Sequence, residues 1–216
     1  MPCAPIQPHH AKILKASRLW KQRFGPSDLQ LFLIRHGRAS GNHYHLFNGS
    51  KNDSPLTRLG RCQARELAED WPAKQKPDLL FCSTMKRAKS TARPLARRFG
   101  LPLHPLSELV EQDFGDWSGL SALHMKEKSP AYFFRYTDGR LSHFVKNTPN
   151  GESWDRVLAR AKGFLLSLKR GHKGKTIVVV SHGVFLIACV QVLTGIKPPK
   201  LWDLRFGNTG VAKIEI

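Results

Sequence analysis

The stretch "LFLIRHGRASGN", residues 31–42, passes directly from an apolar run to an arginine and a histidine. The run "LQLFLI", residues 29–34, has the length and composition of a buried strand. Arg35 and His36 follow at the point where that strand ends. Any strand must end in something polar where it reaches the surface, so this pair alone does not predict a functional site.

Strand and helix patterns alternate along the chain from residue 30 onward. Further strands are predicted at 78–82 and 176–181, helices at 56–71, 84–100, 153–169 and 184–195, and an edge strand at 211–216. Such alternation is typical of a parallel sheet whose two faces are covered by helices. The fold class predicted from the pattern is therefore α/β, a three-layer α/β/α sandwich with a mostly parallel, mixed central sheet.

Several strand ends bring reactive side chains to one edge of this sheet, where ligands of open α/β proteins bind. Besides Arg35 and His36, the side chains at such ends are Ser83, Thr84, Arg87, Ser181 and His182. Arginines bind phosphate oxygens and neutralise a transferring phosphoryl group, while a neutral imidazole can attack it. The same arginines would repel a catalytic metal ion, and a GxSxG elbow is absent. The residue types predict phosphoryl transfer without a metal.

The motifs resemble those of the histidine phosphatase superfamily, whose fold is shared with cofactor-dependent phosphoglycerate mutases. "RHG" at 35–37 and "SHG" at 181–183 are its most specific elements. Other blocks similar to the family follow in order: "DSPLTRLGRCQA" (53–64), "STMKRAKSTA" (83–92), "ELVEQDFGDWSG" (108–119) and "PNGES" (149–153). The resemblance implies a phosphoglycerate mutase-like fold and chemistry through a phosphohistidine, with no cofactor.

The resemblance also implies a role for each motif residue. His36 would be transiently phosphorylated, and Arg35, Arg87 and His182 would hold the phosphoryl oxygens. Glu111 would protonate the leaving oxygen and then act as base for the attacking water. Two neighbouring carboxylates, Glu108 and Asp113, are alternatives for that role.

Three further residues are implied as substrate contacts: Asn42, Asn48 and Gly49. For the two asparagines, ordinary turn chemistry is the alternative interpretation. Arg38 stands where many relatives have an acidic or neutral residue. It either enlarges the positively charged rim of the site or points to solvent, and the sequence leaves both open.

We interpret residues 30–216 as a single histidine phosphatase domain preceded by a basic N-terminal arm, residues 1–29. In the arm, the spacing of Ile13, Ala16, Trp20 and Phe24 predicts a helix with one apolar stripe. Such a helix could be a surface helix packed on the protein, which we favour, a membrane-facing arm or a transit-type peptide. Residues 119–150 are expected to form a helical insert or lid above the site. The aromatic residues of its "AYFFRY" segment, 131–136, either contact substrate or anchor the insert to the body of the protein.

The charge balance predicts anionic partners. The chain has 35 Lys and Arg against 16 Asp and Glu, a net charge of +19, which attracts phosphorylated metabolites, nucleic acid or anionic lipid alike. No nucleic-acid-binding motif is present, so a small phosphorylated substrate is expected and a specific nucleic-acid partner is not. No segment is suited to span a bilayer, and the four cysteines form no CxxC pair and are expected to be reduced. We expect a soluble, cytoplasmic protein, of undetermined oligomeric state.

The function predicted from these observations is a metal-independent phosphomonoesterase acting on a small anionic metabolite. A phosphoglycerate mutase is the alternative, but its larger basic insert is not recognised here. A phosphohistidine-protein phosphatase is a further alternative. From a different class, the chain could be a basic anion- or nucleic-acid-binding protein with a degenerate catalytic site.

Overall fold

The computed structural model describes residues 12–25, 28–43, 46–128, 130, 148–196 and 206–216. Within these residues the chain forms a six-stranded sheet. In spatial order its strands are β1 (Lys12–Lys15), β6 (Val211–Glu215), β2 (Gln30–Arg35), β5 (Thr176–Ser181), β3 (Leu79–Ser83) and β4 (Leu103–Leu106). Neighbouring strands are parallel except β2 and β6, which are antiparallel. The mostly parallel, mixed sheet predicted from the sequence is confirmed.

Helices cover both faces of the sheet. In chain order they are α1 (Arg18–Phe24), α2 (Ser40–His43), α3 (Arg58–Glu69), α4 (Lys86–Phe99), α5 (Ala122–Lys128), α6 (Trp154–Gly171) and α7 (Gly183–Thr194). Helices α3 and α4 pack against each other on one face, and α6 and α7 pack together on the other. The predicted α/β/α sandwich is therefore present.

Strand β2 shows why the apolar run of the opening stretch is uninterrupted. Leu31 and Leu33 belong to the core under α6 and α7, whereas Phe32 and Ile34 belong to the core under α3 and α4. All four side chains are buried, and burying each contributes about 1.5–3 kcal/mol. A strand buried on both faces leaves no place for a polar side chain until it ends. The first polar side chains after the run therefore belong to Arg35 and His36.

The N-terminal segment corrects two predictions. Residues 12–15 form a strand that pairs with β6, so the helical stripe beginning at Ile13 is wrong. The helix begins only at Arg18, where the Ser17 hydroxyl accepts the Trp20 N–H at 3.1 Å. Because β1 pairs with the outer side of β6, the prediction that residues 211–216 form an edge strand is also wrong. Sheet pairing with a distant strand has overridden the local periodicity.

Two smaller expectations are resolved in part. Helix α5 lies inside the predicted insert of residues 119–150, but the aromatic "AYFFRY" segment lies outside the described residues. Cys82 and Cys189 are free and buried as expected, whereas Cys62 is disulfide-bonded. Residue spacing did not indicate that bond because a disulfide depends on the distance between two thiols in the fold. Among the described helices, none has both the length and the apolar character needed to cross a membrane.

Candidate active site

The carboxyl ends of β2 and β5 place the two motif histidines next to each other. Arg35 and Ser181 are paired in register at these ends, and the His36 N–H donates to the Ser181 carbonyl at 2.9 Å. The rings of His36 and His182 have their centroids 5.1 Å apart. Both histidines are buried. The structure thus brings together two motifs that lie far apart in the sequence.

The neighbours of His36 fix which of its ring nitrogens carries the hydrogen. Its Nδ1 lies 2.7 Å from the Gly37 carbonyl oxygen, which can only accept, so Nδ1 is the donor. Burial lowers the pKa of His36 well below its usual value, and the charges of Arg87 and Arg35 lower it further. The imidazole is therefore neutral near neutral pH. Its Nε2 keeps a lone pair, which is the form required of a nucleophile.

Arg87 reaches the site from the first turn of α4 and is almost completely buried, at 2% exposure. Its Nε donates to His182 Nδ1 at 3.2 Å. Its terminal nitrogens donate to the carbonyls of Asn52 and Gly49, at 2.8 and 2.9 Å. Each terminal nitrogen has a second N–H that these bonds do not use. Since a guanidinium cannot accept, His182 Nδ1 is the acceptor and its Nε2 carries the hydrogen.

Two buried N–H donors of the site have no hydrogen-bond partner among the described residues: His182 Nε2 and Arg35 Nε. The Arg35 guanidinium is held by a 2.7 Å bond from Nη1 to the Phe206 carbonyl. Gly183 lies beside it, since a Cβ there would be 3.6 Å from Arg35 Nε. Buried N–H groups without partners are rare in folded proteins. Placed around a neutral imidazole, these donors suit an anion with several acceptor oxygens, such as a phosphoryl group.

Glu111 lies at the amino terminus of α7. One carboxylate oxygen accepts the N–H groups of Gln112 and Phe185 at 3.0 and 3.1 Å, and the other accepts that of Val184 at 3.3 Å. Burial lowers the pKa of Arg35 and of Arg87, and the Glu111 charge opposes that lowering at both. The carboxylate therefore acts electrostatically on both arginines of the site.

The two alternative carboxylates are placed differently. Asp113 pairs with Lys51 at 3.4 Å, and its other oxygen accepts the Gly115 N–H at 2.8 Å. Glu108 is half-buried in a single turn of 3₁₀ helix before the loop. Of the three, only Glu111 is buried, which favours it over its neighbours as the candidate proton donor.

The implied substrate contacts divide into two kinds. Asn42 Oδ1 accepts the Ala39 N–H at 3.1 Å, which is the turn chemistry held open as the alternative. Asn48 is buried, and its Oδ1 has no partner among the described residues. Gly49 has a left-handed φ of 55°, and its carbonyl binds Arg87. Arg38 is half-buried, and its backbone N–H donates to Gln63 Oε1 at 2.8 Å.

The Ser83 hydroxyl, predicted at the end of β3, binds the backbone of the turn that follows the strand. Ser83 is fully buried, and its Oγ accepts the Met85 N–H at 3.2 Å. Ser181 Oγ donates to the Leu109 carbonyl at 2.7 Å and so ties the end of β5 to the segment before Glu111. Thr84 is exposed. The hydroxyl groups of Ser83 and Ser181 therefore support the backbone around the site.

Several residues that support the site were given no role by the sequence analysis, although one of them, Thr91, lies inside the quoted block of residues 83–92. Asn208 Nδ2 donates to the His36 carbonyl at 3.1 Å, and Thr91 Oγ1 accepts the Gly37 N–H at 2.9 Å. Phe206 provides the carbonyl that holds Arg35. Their partners lie 54–172 positions away. Only an alignment that followed these pairs, or the structure itself, could find them.

A neutral imidazole beside the guanidinium groups of Arg35 and Arg87, at the carboxyl edge of a mostly parallel sheet, is suited to phosphoryl transfer. A model of the histidine phosphatase superfamily (branch 1) matches residues 31–216. The chain belongs to this superfamily, and it is a phosphatase within it.

Relatives cover most of the chain. Phosphoserine phosphatase 1 of Hydrogenobacter thermophilus is 31% identical over 188 residues, which span 87% of this chain and 87% of the relative. The 2,3-bisphosphoglycerate-dependent phosphoglycerate mutase of Bartonella quintana is 32% identical over 190 residues, spanning 85% and 90%. The mycobacterial glucosyl-3-phosphoglycerate phosphatase, solved in complex with VO3, superposes with a TM-score of 0.75 at 27% identity, covering 85% of this chain and 91% of that one.

Proposed function

We propose that the chain is a metal-independent phosphomonoesterase that hydrolyses a small anionic metabolite through a phosphohistidine at His36. The observation that carries the proposal is the hydrogen bond from His36 Nδ1 to the Gly37 carbonyl in a buried, neutral ring. It leaves Nε2 as the basic nitrogen. The unpartnered donors of Arg35 and His182 belong to the same pocket.

In the first step, His36 Nε2 attacks phosphorus while the bond to the ester oxygen breaks. The bond's electron pair goes to the leaving oxygen, which takes a proton from Glu111. Glu111 enters this step in its protonated form, with the proton on Oε2, the oxygen that accepts only the Val184 N–H. Hydrogen bonds from Arg35, Arg87 and His182 hold the other three oxygens. Because these donors are fixed before the substrate arrives, they stabilise the developing charge with little reorganisation.

In the second step, water attacks the phosphohistidine. The Glu111 carboxylate, which gave up its proton in the first step, now accepts one from the water. The bond between phosphorus and Nε2 breaks, and its electron pair returns to the imidazole. Inorganic phosphate leaves, and both groups are back in their starting protonation states. The positive charge that a metal ion would supply comes from the guanidinium groups.

The compounds named for two of the relatives indicate a substrate class. Phosphoserine and glucosyl-3-phosphoglycerate each join a phosphate ester to a carboxylate. A basic protein with a net charge of +19 favours such multiply charged ligands. We therefore infer a small phosphorylated carboxylic acid as the substrate. A phosphate-release assay tests this inference. It compares kcat/KM for phosphoserine and 3-phosphoglycerate with kcat/KM for a sugar phosphate and a nucleoside monophosphate, and the two phosphorylated acids should have the higher values.

The nucleophile is tested by trapping the intermediate. Acid hydrolyses the bond between phosphorus and nitrogen in a phosphohistidine, so wild-type protein should be quenched in alkali within milliseconds of mixing with labelled substrate. We expect an alkali-stable, acid-labile label on the protein. His36→Ala should lose both the label and turnover, whereas His104→Ala, a histidine outside the site, should keep them. A labelled His36→Ala protein would assign the nucleophile elsewhere.

Mutase activity is the second candidate, because a phosphoglycerate mutase is 32% identical to the chain. The same trapped phosphoenzyme separates the two activities when it is mixed with unlabelled 3-phosphoglycerate. A phosphatase releases the label as inorganic phosphate. Transfer of the label to phosphoglycerate faster than its release would replace the hydrolase proposal with a mutase.

A further inference from the structure

Arg160 of α6 lies outside the group of residues proposed to bind the phosphoryl group, yet all its guanidinium nitrogens are engaged. Nε and Nη2 bind the two carboxylate oxygens of Glu152 at 3.1 and 2.8 Å, a bidentate pair. Nη1 donates to the carbonyls of Glu108 and Val110, both at 2.7 Å. The second of these carbonyls belongs to the residue directly before Glu111. Arg160 therefore fixes the backbone on the amino-terminal side of that carboxylate.

Glu152 fixes the backbone on the other side of Glu111. Its N–H donates to the Asp113 carbonyl at 2.8 Å, and its own carbonyl accepts from the Gln112 side-chain amide at 2.8 Å. Arg160 and Glu152 together therefore bind the backbone of the loop at residues 108–113 on both sides of Glu111. The pair is well shielded from solvent, with side-chain exposures of 18% and 17%. A bidentate pair shielded in this way keeps its geometry better than an exposed ion pair.

A third contact links Arg160 to the groups that hold the Glu111 carboxylate. Its guanidinium lies over the Phe185 ring, 4.7 Å from the centroid. The Phe185 N–H is one of the donors to Glu111 Oε1. Arg160 therefore contacts both the loop that carries the carboxylate and the helix residue that orients it.

We propose that Arg160, oriented by Glu152, is the positioning residue that sets Glu111 at the distance needed for proton transfer to the leaving oxygen. The inference rests on the proposed function, in which Glu111 is the proton donor. Arg160 acts through the loop and does not touch the substrate. A misplacement of about 1 Å in such a group costs about 100-fold in rate, so the pair affects catalysis beyond its effect on stability.

The test uses leaving groups of different basicity. An alkyl phosphate needs a proton on its leaving oxygen, whereas p-nitrophenyl phosphate releases an oxide that is stable without one. Arg160→Lys keeps the positive charge but cannot make the bidentate hydrogen bonds of a guanidinium. We expect it to lower kcat/KM for the alkyl ester by about 10- to 100-fold. The loss on p-nitrophenyl phosphate should be within about threefold. Arg156→Lys, at an exposed position one turn earlier on the same helix, should change neither.

A double-variant comparison separates positioning from general damage. In Glu111→Gln the proton donor is already lost, so adding Arg160→Lys should cost no more than about twofold on the alkyl ester. Equal losses on both esters, or losses that multiply in the double variant, would overturn the positioning role. If Glu111→Gln itself affects both esters equally, the proposed role of Glu111 fails instead. Should Arg160→Lys not fold, Glu152→Gln tests the same pair and should give the same ester selectivity.

Discussion

At the scale of single residues, the site depends on two histidines held in opposite tautomers. The Gly37 carbonyl puts the hydrogen of His36 on Nδ1, and the Arg87 guanidinium puts that of His182 on Nε2. One ring therefore offers a lone pair and the other offers a donor. Both rings have their pKa lowered well below the usual value, by burial first and by Arg87 second. The two histidines share one environment, but their different hydrogen-bond partners make one ring an acceptor and the other a donor toward the ligand.

The lowered pKa values predict how stability depends on pH. An unfolded histidine binds a proton below about pH 6.5, whereas folded His36 and His182 stay neutral until the pH is much lower. Between those limits the unfolded chain binds more protons, so the free energy of unfolding falls as the pH falls. The loss begins near the unfolded value and stops below the folded values. Urea titrations at about pH 7.5, 6 and 5 should show this decrease. His36→Gln should show a smaller one, and an unchanged pH slope in that variant would contradict the assignment.

At the scale of elements, two glycines let the loop after β2 approach α3. A Cβ on Gly37 would lie 2.6 Å from the Gly60 carbonyl oxygen, and one on Gly60 would lie 2.1 Å from the Arg38 carbonyl oxygen. Thr57, which caps α3, holds the same Arg38 carbonyl with both its N–H and its hydroxyl. The contact fixes the loop directly after His36, so the "LTRLG" motif has a structural role in placing His36.

A pair of glycine substitutions tests this contact. Gly60→Ala would place its methyl group against backbone, which cannot move away cheaply. We expect it to destabilise the fold by about 1–3 kcal/mol and to lower activity. Gly163→Ala, in the exposed part of α6 with no heavy atom within 4 Å of the new Cβ, should instead stabilise by about 0.5–1 kcal/mol. Urea unfolding and initial rates of both variants measure the contrast, and equal effects would mean that the close approach is unimportant.

The elements also show where sequence reasoning succeeds and where it does not. Strands β2 and β5 were predictable because each is an apolar run buried on both faces. The four-residue strands β1 and β4 were missed because such short segments have no clear period, and β4 contains Pro105 on its half-exposed course. The position of β6 inside the sheet depends on β1 and was missed with it.

For the site, the sequence predicted the groups and not their supports. The two motif histidines stand directly after recognisable strands, and Arg87 lies in the first turn of the helix that follows a third strand, so their meeting at one edge followed from the fold. The Arg160 bonds to the loop before Glu111 span 50 and 52 positions, and Asn208 reaches His36 across 172. Contacts of that separation depend on the packed structure. The tautomers likewise depend on the direction of one carbonyl and one guanidinium.

At the scale of the whole molecule, part of the excess positive charge lies next to the site. The described part of the chain shows this on α4, whose buried Arg87 lies in the pocket. Lys86, Arg93 and Arg97 are exposed along the same helix. A cleft lined by charges of one sign raises the local concentration of ions of the opposite sign and speeds their association. Such fields weaken over about 10 Å at 0.1 M salt. Charges near the carboxyl edge of the sheet should therefore act on substrate more than those at the opposite edge.

Two exposed cations at opposite edges make that expectation testable. Lys86 stands in the first turn of α4 beside Arg87, whereas Arg170 stands in the last turn of α6, shortly before β5 begins. Each changes the net charge equally when replaced by glutamate. We expect Lys86→Glu to raise KM for a multiply anionic substrate by about 3- to 10-fold at low salt, because it weakens the field at the pocket. The kcat value should change little, since the reacting groups are intact. The difference from wild type should shrink as salt is added, because screening removes the wild-type advantage.

Arg170→Glu should leave KM within about twofold of wild type. Equal increases in both variants would show that net charge acts as a whole, and no increase in either would show that association does not depend on this field.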